Sequence, residues 1–129
     1  MKAADLMLDD WCIYKDMQLG DRVVKVKAIY PNKKIEAFGK NFSVTTDELT
    51  PIPITEDMLK KNGLKRVEYG VEFGNYKSKD SKIKLIKDFN NWIFKVNDGI
   101  YDIMRCEITY VHELQHALYL AKIDKKIKL

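Results

Sequence analysis

The chain has 129 residues, a hydrophobic fraction of 46% and a formal net charge of +4. This size fits one domain or two very small ones, and such a composition excludes an intrinsically disordered chain. Residues 1–10 contain acids but no apolar signal segment, and no stretch approaches the roughly 20 apolar residues of a membrane helix. We therefore expect a folded cytoplasmic protein that has no membrane partner.

Short β-rich runs dominate the first part of the chain, at residues 11–14, 22–30, 35–38 and 42–44. Pro51 and Pro53 follow them, and prolines cannot sit in a central strand. The fold class predicted is α+β, with an N-terminal SH3-like small β-barrel or bent sheet over residues 1–53.

Several side chains in this region invite a functional interpretation. Trp11, Tyr14, Tyr30, Phe38 and Phe42 could form a stacking platform on a small barrel, although aromatic residues of a small sheet are more often core. We expect core positions. Asp9 and Asp10 could form a carboxylate pair, but adjacent side chains generally point apart, which favours a solvated turn.

The second subdomain is predicted over residues 54–129, and the two subdomains could share one core. A helix is expected at residues 55–62, because Thr55 is a suitable N-cap and Gly63 a suitable terminator. A β-meander is expected at residues 66–106, then a helix at 109–122 and a short edge strand at 126–129.

Asp98 and Gly99 lie between two β-rich runs of this meander. Asp-Gly is a strong hairpin signal, because a type I′ turn needs positive φ at both of its central residues. The sequence therefore predicts a hairpin at this point.

The positions of the cysteines and lysines bear on disulfide formation and on nucleic-acid binding. Cys12 and Cys106 are predicted to be buried free thiols, since a chain without an export signal is expected in a reducing compartment. Lysines are concentrated at residues 77–87 and 122–128, and in the first group Lys82 and Lys84 alternate with apolar residues. We expect a solvated outer strand face, with contact to nucleic-acid phosphates as the alternative.

One segment has the pattern of a catalytic metal site. His112-Glu113-Leu114-Gln115-His116 matches H-E-x-x-H, in which two histidines one helical turn apart bind zinc and the glutamate polarises a bound water. A zinc-dependent, metallopeptidase-like hydrolase would use His112 and His116 as metal ligands and Glu113 as its catalytic residue.

Two arguments weigh against zinc. A catalytic site needs a third protein ligand, and the sequence has no further histidine. In addition, Leu114, Ala117 and Leu118 define the apolar arc of the helix, so His112 and His116 are expected to face outward.

Three segments in order resemble a family of small uncharacterised proteins of gut anaerobic, Bacteroides-type bacteria and their prophages or mobile elements. The segments are residues 6–11 (LMLDDW), residues 51–63 (PIPITEDMLKKNG) and residues 110–115 (YVHELQ). Relatives continue the last segment with Asn where this chain has His116. The resemblance implies no activity, but it implies that the shared element is a packed helix rather than a metal site.

The sequence therefore predicts a non-enzymatic binding or accessory module of a phage or mobile element, with no metal or other cofactor. An unidentified protein is the expected partner. Zinc-dependent hydrolysis and weak nucleic-acid binding are the alternatives.

Overall fold

Two compact units, Met1–Ile52 and Pro53–Leu129, make up the chain in the computed structural model. The structure describes residues 6–16, 20–30, 34–37, 43–67, 76–79 and 82–129. Each unit contains an antiparallel five-stranded sheet, and both helices belong to the second unit. The α+β class is as predicted. Among the described residues, neither helix has the length and apolar content needed to cross a bilayer.

The first unit is a curled meander whose fifth strand returns to the first. Its strand order is β4-β3-β2-β1-β5, and a 3₁₀ turn at Thr46–Glu48 precedes the last strand. A bulge between Val26 and Ala28 lets the long second strand pair with the first strand along one half and with the third along the other. The strands are β1 (Trp11–Asp16), β2 (Gly20–Ile29), β3 (Lys34–Ala37), β4 (Ser43–Thr45) and β5 (Leu49–Pro51).

The core of this unit consists of Leu6, which precedes the first strand, and alternate residues of the curled sheet: Cys12, Tyr14, Val24, Val26, Ile35, Val44 and Leu49. Tyr14 is therefore a core aromatic, as expected. Tyr30 is 41% exposed, so the core prediction is wrong for it, and Trp11 is half-buried beneath the ammonium of Lys25. Phe38 and Phe42 lie outside the described residues.

Asp10 is buried, which corrects the prediction of a solvated carboxylate pair. Its side chain is 1% exposed and accepts a 2.7 Å hydrogen bond from the N–H of Met7. Its backbone pairs with β2, since the N–H of Val26 donates to the C=O of Asp10 at 2.9 Å. Asp9, by contrast, is exposed and lies 3.7 Å from the ammonium of Lys25. The two carboxylates therefore have different environments and separate roles.

The second unit has the strand order β10-β9-β8-β7-β6. Successive side chains of each strand point to opposite faces of the sheet. The buried apolar ones, including Leu85, Trp92 and Phe94, share one face. Lys82 is exposed and Lys84 half-buried on the other, as predicted. The elements are α1 (Glu56–Lys61), β6 (Lys65–Arg66), β7 (Tyr76–Lys77), β8 (Ile83–Asp88), β9 (Asn91–Asn97), β10 (Asp102–Ile108) and α2 (Val111–Leu120). Most of the predicted strand at 67–73 lies outside the described residues.

Helix α1 begins and ends as its sequence predicts. The N–H of Met58 donates to Oγ1 of Thr55 at 3.2 Å, which satisfies one of the amides that an N-terminus leaves unpaired. Gly63 follows the helix with φ +83°, a conformation that glycine adopts at low cost.

The C-terminal segment is held by α1 rather than forming the predicted edge strand. The side-chain amide of Asn62 donates to the C=O of Lys128 at 2.7 Å, and its Oδ1 accepts the N–H of Lys128 at 2.7 Å. Ile127 is buried beside this contact. The backbone of Lys128 thus pairs with a side chain instead of a strand, and residues 126–129 form no strand.

The two cysteines differ in burial, and both are free thiols. Cys12 is fully buried, and this burial, with the nearby Asp10 carboxylate, raises its pKa to about 12. Cys106 is only half-buried, so the prediction of two buried thiols is wrong at that position. Burial and the Glu113 carboxylate also raise the pKa of Cys106.

The predicted hairpin joins β9 to β10, although its turn differs from the type I′ expected. The N–H of Asp98 donates to the C=O of Tyr101 at 3.1 Å, which places Gly99 and Ile100 at the centre. Only Gly99 among these residues has positive φ, at +103°. Asp98 instead holds the turn through its carboxylate, which accepts the N–H groups of Tyr101 and Ile100 and so has a lowered pKa.

The hairpin between β8 and β9 contains an unfavourable backbone conformation. Asp88 pairs with Asn91, which leaves Phe89 and Asn90 as the loop. Phe89 has φ +53° and is 92% exposed. A bulky residue is disfavoured at positive φ because its Cβ approaches the following carbonyl oxygen.

We expect Phe89→Gly to stabilise the protein by about 0.5–1 kcal/mol, since glycine relieves this strain, although its larger conformational entropy in the unfolded state offsets part of the gain. Urea unfolding followed by circular dichroism measures the change. Phe89→Ala is the matched control, because it removes the ring but keeps Cβ. An equal gain in both variants would show that the backbone conformation is not the cause.

Candidate functional site

The H-E-x-x-H segment lies in α2, which is shorter at both ends than predicted. Leu114, Ala117 and Leu118 are buried, as the apolar arc requires. His112 is also buried, at 6% exposure, whereas His116 is only half-buried. The expectation that both imidazoles face outward is therefore wrong for His112.

The position of His112 along the helix axis explains this error. His112 and Tyr119 project in nearly the same direction on a helical wheel, but Tyr119 lies in the last turn and is 68% exposed. In the first turn the ring of Tyr110 stacks on His112, with centroids 5.9 Å apart. Pro53 forms a β-bridge with Tyr110 at the same end. The burial of His112 therefore depends on the neighbouring ring of Tyr110, which a helical wheel does not represent.

Glu113 stabilises the N-terminus of α2. Its Oε1 accepts hydrogen bonds from the N–H groups of Thr109 and Tyr110, each at 3.0 Å. A carboxylate in the first helical turn also interacts favourably with the helix dipole. The residue proposed as the catalytic glutamate of a zinc hydrolase thus already has a structural role.

The two histidines are adjacent, but no complete metal site surrounds them in the described part of the chain. Their ring centroids are 5.6 Å apart and their planes are nearly perpendicular. No group of three His, Cys, Asp or Glu side chains suited to a metal ion occurs among residues 6–16, 20–30, 34–37, 43–67, 76–79 and 82–129. A catalytic zinc requires at least three protein ligands.

We expect Glu113→Ala to destabilise the protein by about 1 kcal/mol, the usual cost of losing a helix cap. Glu113→Gln is the matched variant, because its amide oxygen still accepts both N–H groups and should preserve most of the stability. Chemical unfolding of the two variants measures the difference. Equal stability of Glu113→Ala and the wild type would contradict the capping role.

The metal content of the purified protein tests the zinc interpretation directly. We expect less than stoichiometric zinc after dialysis against a zinc-containing buffer, and no difference between the wild type and His116→Ala. Inductively coupled plasma mass spectrometry gives the ratio. One zinc per chain in the wild type, lost in His116→Ala, would establish a metal site.

A row of basic residues crosses the solvent face of the second sheet. We call it the basic row, and it takes one residue from each strand: Lys65, Lys77, Lys84, Lys95 and Arg105. The strand register pairs each of these residues directly with the next. Directly paired residues project from the same face of a sheet, about 4.8 Å apart, so the row extends for roughly 19 Å.

The basic row lies on the face of the sheet opposite the hydrophobic core. Moving one residue along each of the four strands β7 to β10 gives Tyr76, Leu85, Phe94 and Cys106, which are likewise paired in register. Tyr76, Leu85 and Phe94 are fully buried. Because side chains alternate along a strand, the basic row lies on the opposite face.

The basic row brings like charges close together. Like charges directly opposite each other destabilise a strand pair, by an amount on the order of 0.2–1 kcal/mol. Partners within the chain offset part of this cost, since Asp102 Oδ2 lies 3.6 Å from the ammonium of Lys95, and Lys77 and Lys84 also have interaction partners. Ile86 and Ile93, paired with each other, lie half-buried beside the row on the same face.

The basic row was not predicted, because proximity along the chain groups the lysines differently from their pairing across strands. Lys84 was recognised on an outer strand face, but Lys65, Lys95 and Arg105 belong to other strands. The register of β8 against β9 would have indicated the row. If Phe89 and Asn90 form a two-residue loop, Lys84 must pair with Lys95.

No protein-family model matches the chain, and comparisons with curated proteins and with solved structures gave no match.

Proposed function

We propose that this protein is a non-enzymatic binding module whose second unit binds the sugar–phosphate backbone of a nucleic acid along the basic row. The observation that carries the proposal is the in-register pairing of five basic residues across one sheet. A line of closely spaced cations produces a positive potential along one face of the sheet. Such a potential attracts a polyanion, and the phosphate backbone of a nucleic acid is one.

The dimensions of the basic row fit a phosphate backbone. A row of roughly 19 Å is long enough to contact several consecutive phosphates of one nucleic-acid strand. Lysine ammoniums are suitable partners because they act as point charges on flexible stems. The side chains flanking the row, Ile86 and Ile93, are aliphatic, so base stacking adds little. Binding should therefore depend on charge and not on sequence.

Salt dependence of oligonucleotide binding tests the proposal. We expect labelled single-stranded DNA to bind the full chain, with an affinity that falls steeply between about 50 and 200 mM salt. In Lys84→Gln/Lys95→Gln the slope of log K against log salt should decrease by about 1.4, since each lost phosphate contact removes about 0.7. Fluorescence anisotropy measures both quantities.

The matched control is Lys15→Gln/Lys27→Gln, which removes the same net charge from exposed positions of the first unit and should leave the slope unchanged. Stability separates lost binding from lost folding. At low salt the free energy of unfolding of the row variant should stay within about 1 kcal/mol of the wild type, because the variant loses the like-charge contact of Lys84 with Lys95 and also the ion pair of Lys95 with Asp102. Binding without salt dependence, or equal slopes in the two variants, would refute the proposal.

We also propose that the first unit is an SH3-like barrel, and its topology supports this. Five strands form a meander, the long β2 bends across it, and β5 returns to pair with β1 after a 3₁₀ turn. Exposed apolar side chains of this unit, Leu8 and Val23, suit the protein partner that the sequence analysis favours.

A role as an accessory module of a phage or mobile element remains the proposal drawn from the sequence resemblance. The zinc-dependent hydrolase remains the alternative. The adjacency of His112 and His116 favours it, Glu113 as a helix cap weighs against it, and the metal measurement decides between them.

A further inference from the structure

Strand β10 forms one edge of the second sheet, and its hydrogen-bonding direction can be deduced from the pairing. The N–H of Asn97 donates to the C=O of Lys82 at 2.8 Å, so the odd-numbered residues of β9 bond to β8. Its even-numbered residues must then bond to β10, where Phe94 faces Cys106. The backbone groups of Arg105 and Glu107 consequently point away from the sheet.

This open edge has defined ends. A register shift between Asp102 and Met104 interrupts the strand at its start. At the other end the N–H of Ile54 donates to the C=O of Thr109 at 3.1 Å, which occupies the edge there. Residues 104–108 remain, and β9 is the one described strand that pairs with them.

The charged side chains on the open edge of one copy are complementary to those on the same edge of a second copy. Arg105 and Glu107 are both exposed, project from the same face and lie on either side of Cys106. Neither forms an ion pair with a residue of the described ranges. Charged residues often protect an edge strand from pairing, but here the two charges have opposite sign and equal distance from a central residue.

We propose that two copies of this chain associate through residues 104–108 of β10, paired antiparallel about a two-fold axis at Cys106. In this register Arg105 lies opposite Glu107 of the partner subunit, and the same contact occurs twice. Their outward N–H and C=O groups form the backbone hydrogen bonds between the subunits.

Other registers are less favourable. A shift of two residues in one direction places Arg105 opposite Arg105 of the partner subunit, and the opposite shift brings two Glu107 carboxylates together. Shifts by one residue direct inward-pointing backbone groups toward the partner and lose the hydrogen bonds. Charge and backbone direction therefore select a single arrangement.

The dimer is small and belongs to the weak, reversible class of interfaces, with an expected dissociation constant in the micromolar range. Its two-fold axis is perpendicular to the sheet, so both basic rows lie on the same face of a continuous sheet of ten strands (five from each copy). Arg105 belongs both to the basic row and to the proposed contact, so the dimer is tested in the absence of nucleic acid, where its formation does not depend on the proposed function.

Charge reversal tests the register. Sedimentation velocity of the wild type should show a monomer–dimer equilibrium. Arg105→Glu and Glu107→Arg should each weaken the dimer about tenfold or more, because two attractions become two repulsions. The combined variant Arg105→Glu/Glu107→Arg should return to within about threefold of the wild type. Lys126→Glu, an exposed reversal outside the edge, is the control.

Disulfide crosslinking tests the axis independently. Cys106 faces its own copy in a non-hydrogen-bonded pair, where Cα atoms are about 4.5 Å apart and a disulfide can form. Copper phenanthroline with dissolved oxygen, which accepts the two electrons and two protons of the thiols, should produce a covalent dimer in the wild type and in Cys12→Ser but not in Cys106→Ser. A monomer at every concentration without crosslinking, or a combined charge variant that stays monomeric, would overturn the proposal.

Discussion

The register of β8 against β9 is the constraint on which the second unit depends. In both strands buried apolar residues alternate with outward-facing ones, and the pairing of Leu85 with Phe94 brings the apolar rows together. The same pairing necessarily brings Lys84 against Lys95, because the side-chain period of a strand is two residues. A slip by one residue would bury the lysines, so the hydrophobic core and the positive face are inseparable results of one register. The core supplies the stability that the basic row removes.

Helix α2 shows how one sequence motif can have both a chemical and a structural interpretation. The spacing of His112 and His116 is that of a zinc site, and their rings are in fact adjacent. Metal chemistry also requires a third ligand and a free carboxylate, and Glu113 already accepts the two amides that precede the helix. The Glu at the third helical position is equally the signature of a helix N-terminus. For Glu113, the role of a helix cap accounts for both of these hydrogen bonds.

Local signals in the sequence predicted the elements well, and they failed where distant residues decide the outcome. Helix α1, flanked by Thr55 and Gly63, was predicted almost to the residue because its capping chemistry is encoded in adjacent positions. The β9–β10 hairpin was also predicted, but its turn was not, because Asp98 uses its carboxylate rather than positive φ. The tethering of Lys128 by Asn62 depends on a contact between segments 66 residues apart, and the burial of His112 depends on cover by the ring of Tyr110, which a helical wheel does not include. The basic row belongs to the same class, since it exists only once five strands are in register.

The basic row also affects how the stability of this protein would be measured. Guanidinium chloride is itself a salt, so low concentrations of it shield the five paired cations before they begin to denature the sheet, whereas uncharged urea leaves their repulsion intact. Extrapolation from the two denaturants should consequently give two different free energies of unfolding for one fold, the larger from guanidinium. The size of that discrepancy is a direct measure of the strain that the charges impose on the sheet.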